Sequence, residues 1–326
     1  MADRISEVLN KLEEVAETNA EVGKPEREYP VRIIAHSMGG LVARTFIANN
    51  LTTWQRLKQQ GGRLIMMGTP NFGSYVPVQV FTQKNPLIRQ FSWAAIRHSL
   101  KDLTDVVRQY PGLIEMLPVE AQQNMFQYSS WRELERYAPK PQTLAEARAF
   151  REKLDKTAID PGAMVYIAGR SKDTPAAFKV VDKEATFLYT ARGDGTVPWD
   201  LGLLKDVSTY YVDASHGEIP SHKPSFEGFL ELLNTGVTSK LSATAPITKR
   251  SQTEELYKLP TVRGEDRGEE PLRYYPNESD LVSAFVSQWR NTAISKPPIS
   301  LSVINGDIRN TQWPVLVGHY QGDPIV

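Results

Sequence analysis

A serine, an aspartate and a histidine in this chain stand where nucleophilic catalysis could use them. Ser37 lies in the run 31–40 (VRIIAHSMGG). There an apolar stretch breaks into a turn of small residues and a helical pattern begins at once. This reads as a strand, a tight turn and a helix, with the serine hydroxyl held at the apex. Ala35 occupies the place where such a turn usually has its first glycine, and it is small enough to keep strand and helix close. Serine is a weak nucleophile at its ordinary pKa. It needs a base within hydrogen-bond reach and a third group to orient that base.

The chain offers five histidines as the base: His36, His98, His216, His222 and His319. His36 adjoins the serine but should point away from it at such a turn. His98 falls in a helical stretch and His319 beyond a linker. His216 follows the last apolar strand, in a Ser-His-Gly setting whose glycine lets the chain turn the imidazole over the serine. His222 is its rival, six residues on. For the orienting acid, Asp194 sits between two glycines after an extended run. Asp182, Asp200, Asp206 and Asp213 are the alternatives.

The elements that must carry these residues can be read from periodicity. Residues 3–18 have apolar positions at helical spacing, and 41–49 continue as the helix after the turn. Runs 31–35, 63–67, 164–168 and 207–212 read as buried parallel strands, each ending in a polar loop. Residues 186–190 read as a further extended piece leading to Asp194. Residues 226–233 form a closing helix that Gly236 ends. From 75 to 159 helical patterns alternate with prolines and scattered aromatics. This is a helical insertion placed to lie over the C-terminal strand ends, where α/β sheets bind ligands. A cap or lid is the functional reading and a passive subdomain the alternative.

These elements give an α/β class, with a core from 1–74 and 160–236, the insertion 75–159, a polar linker 237–272 and the start of a second domain at 273–326. In that last segment 278–290 read as helix, and 299–304 and 315–317 as strands.

Composition narrows the partners. Among 326 residues, 38 Lys and Arg balance 38 Asp and Glu. There is thus no overall basic field of the kind nucleic-acid binding uses. No apolar run approaches the roughly 20 residues that span a bilayer. Cysteine is absent, which excludes disulfides and thiolate metal sites and suits a reducing, cytoplasmic setting. Mean hydropathy is −0.38, with 40% hydrophobic residues.

The order Ser37, Asp194, His216 is that of the α/β-hydrolases. With it come AHSMGG at 35–40, GTPNFGS at 68–74, GDGTVP at 193–198, SHGEIP at 215–220 and YPGLIEMLP at 110–118. Together these segments resemble the lipase/acyltransferase branch of that superfamily, the group of lecithin:cholesterol acyltransferase, over about residues 1–235. The resemblance implies Ser37 as nucleophile, Asp194 as acid, His216 as base and the Met38 backbone N–H as an oxyanion donor. It implies acyl transfer from an ester to water or to an alcohol, without metal or organic cofactor. His36, Phe72 and Trp199 are candidates for the pocket wall, and the aromatic-rich insertion favours an ester or lipid-like substrate.

The family pattern places several strands before the serine strand, and one of their loops donates the other oxyanion N–H. Here one helix precedes it. The expectation is therefore a truncated hydrolase, the C-terminal half of the sheet, taken from a longer parent with further domains or from a split enzyme. A non-catalytic recognition or scaffold domain of a signalling protein is the alternative to an enzyme. Residues 299–326 faintly resemble a segment that precedes caspase-like CHAT domains in large bacterial proteins. His319 and Asp323 there are expected to be structural.

Overall fold

Four short strands make the central sheet: β1 (Arg32–His36), β2 (Arg63–Met67), β3 (Met164–Ala168) and β6 (Ser208–Tyr211). They are mutually parallel, in the order β1-β2-β3-β6. The computed structural model describes residues 3–11, 30–86, 88, 100–119, 124–157, 159–246 and 256–259. All of these belong to one unit, Met1–Gly264, and a second unit covers Glu265–Val326. The helix and strands expected at 278–290, 299–304 and 315–317 lie outside the described residues, as do His98 and His319.

Both faces are covered at the central strands β2 and β3, which is why these are apolar at successive positions. Alternate side chains of β2 and β3 divide between two layers. Leu64, Met66, Met164 and Tyr166 face a helix at 3–11 (α1), α2 (Met38–Asn49) and α3 (Leu51–Gln59), packing on Phe46, Ile47, Trp54 and Leu57. Ile65, Met67, Val165 and Ile167 face the opposite side, against Phe229 and Leu232 of a helix at Phe226–Thr235. Among the described strands β1 is an edge, and Ile34 at its centre is 52% exposed.

The extended piece at 186–190 is not part of this sheet. It belongs to β5 (Glu184–Thr190), which pairs antiparallel with β4 (Thr174–Val181) in a separate hairpin. The two turn residues, Asp182 and Lys183, have φ of 52° and 61°. This left-handed pair matches the right-handed twist of the flanking strands.

The insertion contributes α4 (Val76–Phe81), α5 (Leu100–Val107), α6 (Pro111–Ile114), a kinked 3-10 segment (Tyr128–Tyr137) and α7 (Pro141–Asp155). Its aromatic core around Phe81, Trp131 and Tyr137 takes in Phe178 and Phe187 of the hairpin. Part of the polar stretch after 236 lies along the unit. Ser242 bridges to Tyr211, and Tyr257 bridges to Tyr189.

Candidate active site

The first loop of the site is built by β1 meeting α2. Ser37 lies between them with φ 55° and ψ −130°, a conformation that costs a non-glycine residue on the order of 1–3 kcal/mol. Its N–H donates to the Met67 carbonyl at 2.9 Å, which continues the β1–β2 register into the turn. Ala35 is well accommodated, since a Cβ on Gly39 would lie 3.9 Å from the Ala35 Cβ. The tight position is Gly40, where a Cβ would collide with the Thr69 side chain. Met38 is the first helical residue, so its N–H has no acceptor within the helix and joins the positive end of the α2 dipole.

The acid comes from the loop after β5. Asp194 is 2% exposed. Its Oδ1 accepts the N–H groups of Thr196 and Val197 at 2.9 and 2.7 Å. Gly195 N–H donates to Thr174 Oγ1 at 2.8 Å, and Ser74 Oγ donates to the Thr196 carbonyl at 2.7 Å. The other oxygen, Oδ2, accepts from His216 Nδ1 at 2.8 Å. An ionised carboxylate only accepts, so the His216 proton sits on Nδ1 and Nε2 is left as an acceptor. Ser37 Oγ lies 2.9 Å from that Nε2.

His216 is presented by the loop after β6. Its N–H donates to the Asp194 carbonyl at 2.8 Å. Two residues on, Glu218 accepts from the Ser215 hydroxyl and N–H, which holds its carboxyl below the ordinary range. Beneath the acid–base pair lies Gly68, at the end of β2 with φ 58°. A Cβ there would come within 2.8 Å of Asp194 Oδ2 and 3.0 Å of His216 Nδ1.

The structure thus brings Ser37, His216 and Asp194 together and places their rivals elsewhere. Asp213 pairs with Arg170 at 2.8 Å, and Asp200 faces Arg192 at 3.8 Å. Asp182 and Asp206 occupy positive-φ turns. His222 meets Ser225 Oγ at 2.8 Å through its Nδ1. Of the pocket candidates, His36 approaches the base, its Nε2 lying 2.9 Å from the His216 carbonyl oxygen. Phe72 is half-buried between the insertion core and the sheet layer. Trp199 is buried under the acid loop, its indole N–H donating to the Gly169 carbonyl at 2.9 Å, and it lines the core.

Several supporting residues were not singled out in the sequence: Asn71 within the segment GTPNFGS, and Arg44, Arg151 and Tyr166 outside any motif. The loop 68–74 ties the site to the insertion. Asn71, fully buried, accepts from Arg44 of α2 at its side chain and from Arg151 of α7 at its backbone, and donates to the Gly202 carbonyl. Both guanidiniums are 2% exposed. Burial, then the neighbouring Arg151 charge, pushes Arg44 down to about 10. Tyr166 donates to the Thr69 carbonyl at 3.0 Å. Burial first, then the Asp194 and Tyr211 charges, raises its hydroxyl well above the ordinary value and keeps it a donor. The signal in the sequence was the polar loop after β2, with Asn71 beside Pro70. The insertion also reaches the elbow, since a Cβ on Gly112 would lie 3.6 Å from Met38 Sδ. Among the described residues no group of three or more acidic, histidine or cysteine side chains could hold a metal, and no helix is long and apolar enough to cross a membrane.

A family model described as lecithin:cholesterol acyltransferase matches residues 4–203, well over half of the 326 residues. The chain belongs to that family. As a member of the lecithin:cholesterol acyltransferase family it is of the ester-acting hydrolase or acyltransferase type. No curated protein matches it. Among solved structures, the mature form of a Bacillus licheniformis lipase, BlEst2, is similar at 14% identity and TM-score 0.33, over 70% of this chain and 71% of that one. The propeptide form of the same lipase has 16% identity and TM-score 0.32, over 74% and 41%. A Tle4–Tli4 complex has 13% identity and TM-score 0.37, over 75% and 59%.

Proposed function

We propose that this chain is a serine hydrolase that cleaves carboxylic esters through an acyl-enzyme on Ser37. The observation that carries the reading is the continuous relay of 2.9 Å and 2.8 Å from Ser37 Oγ through His216 to Asp194. His216 Nε2 takes the Ser37 proton as Oγ attacks the ester carbonyl. The Met38 N–H stabilises the resulting oxyanion. The tetrahedral intermediate collapses, the C–O bond to the leaving group breaks, and His216 returns the proton to the departing alkoxide. Water then attacks the acyl-enzyme by the same steps and releases the acid. Asp194 holds the tautomer and stabilises the transient imidazolium.

An apolar acyl group is the favoured substrate class. Met38 beside the nucleophile and the α6 segment of the insertion supply an apolar border at the elbow. The family's name favours a second reading, transfer of the acyl group to an alcohol, which shares the first half-reaction. A fluorophosphonate probe tests the first reading. It should label the parent chain and leave Ser37→Ala unlabelled, and product analysis with added alcohol then separates hydrolysis from transfer. A parent chain that does not label would favour a recognition domain.

A further inference from the structure

We propose that His36 is a positioning residue for the base, fixing the backbone of His216 relative to Ser37 from the strand that bears the nucleophile. This rests on reading His216 as the base of a serine hydrolase.

The base is tied twice to the acid loop, through its ring to Asp194 Oδ2 and through its N–H to the Asp194 carbonyl. Neither bond refers to the nucleophile. A small shift of the two loops together would keep both bonds and still lengthen the Ser37–His216 contact. His36 supplies the missing reference. Its Nε2 lies 2.9 Å from the His216 carbonyl oxygen, and a carbonyl only accepts, so Nε2 carries the proton. His36 and Ser37 are consecutive, joined by a planar peptide. The bond therefore sets the base against the residue whose proton it must take.

The surroundings show why such an anchor matters. A Cβ on Gly217 would meet nothing within 4 Å, so nothing packs against the residue next to the base, and the nearest buried anchor on that side is Ile219, three positions past His216. The two imidazoles lie 4.9 Å apart between ring centroids, tilted by 41°. The titratable groups acting on His36 are His216 and Asp194. Burial, the largest influence, lowers the His36 pKa. A neutral His36 keeps its donor without placing a second positive charge beside the imidazolium that forms on His216.

The test uses the full chain with two substitutions. His36→Phe keeps a ring and removes the donor, whereas His36→Gln keeps an N–H at similar reach and cannot titrate. The parameters kcat and KM for a short p-nitrophenyl ester are normalised to sites titrated with fluorophosphonate, so unfolded protein does not count. His36→Phe should lose roughly ten- to hundredfold in kcat, the scale expected when a catalytic group is slightly misplaced. KM should stay within about twofold, and His36→Gln should recover to within about threefold of the parent. The acid limb of the pH–kcat/KM profile should be shallower in His36→Gln, because the protonation of His36 is gone. If His36→Phe matches the parent per titrated site, or His36→Gln is no better than His36→Phe, the positioning role is overturned while the hydrolase reading stands. A parent chain that takes up no probe overturns both.

Discussion

The parallel-sheet layer and the helical insertion hold their residues in different ways. In the sheet layer the site is fixed by backbone geometry. Ser37 bonds to the end of β2, Asp194 is bound by the N–H groups of its own loop, and Gly68 lets the acid and base pass over the strand end. The insertion is fixed by its own aromatic core, which includes the β4–β5 hairpin. One buried polar junction joining the two runs through Asn71, where Arg44 and Arg151 converge. In the first region Ser37, His216 and Asp194 come within hydrogen-bond reach of one another. The second is organised around its own aromatic core and meets the candidate site through the loop 68–74 and the approach of Gly112 to Met38.

Substitutions should separate the two regions. The largest effect belongs to the relay. Asp194→Asn should lower kcat by on the order of 10⁴-fold, through the wrong imidazole tautomer, with little change in KM. Steady-state kinetics on a short ester checks this. Gly68→Ala adds a methyl against the acid–base pair at a positive φ. It should lower kcat by roughly a hundredfold while near-ultraviolet circular dichroism of the insertion stays unchanged. Asn71→Ala acts in the opposite sense. It leaves the relay intact but deprives a buried guanidinium of its acceptor, which should cost about 2–3 kcal/mol of stability in urea denaturation. Its activity on a short ester should change less than its activity on a long-chain one.

The smallest expected effect is on pH dependence. Burial lowers the His36 pKa below the ordinary 6.5. Between the folded value and 6.5 the unfolded chain binds more protons, so stability rises with pH across that window and falls as the solution is acidified. Unfolding measured through this range should show a shallower slope for His36→Gln than for the parent.

The two regions also differed in how far their sequences could be read. Runs such as 64–67 and 164–168 are continuous apolar stretches, because both faces of these central parallel strands are covered. Ser37, Asp194 and His216 each follow a strand or extended run closely enough for their order to be recognised. The hairpin was half hidden. Its β4 strand has a small, mixed pattern (TPAAFKVV), and its turn is Asp182-Lys183, which lacks the glycine that usually marks a left-handed pair. The same residues pack on the insertion, a tertiary pairing that local pattern does not encode. His36 was expected to point away from the serine. What the sequence did not show is that its ring meets the His216 carbonyl, a contact 180 positions distant in sequence that depends on where the loop after β6 folds back. The Asn71 junction was hidden for the same reason, since Arg44 and Arg151 are 107 positions apart, as their numbers give, and neither belongs to a motif.

The central claim is that Ser37 carries an acyl group during turnover. Rapid mixing of the full chain with a p-nitrophenyl ester, followed by acid quench and mass spectrometry of the peptide containing Ser37, tests it most directly. A burst of p-nitrophenolate, with the acyl mass on Ser37 and its absence in Ser37→Ala, is the predicted result. Turnover without an acyl adduct on Ser37, or equal turnover by Ser37→Ala, would contradict the account.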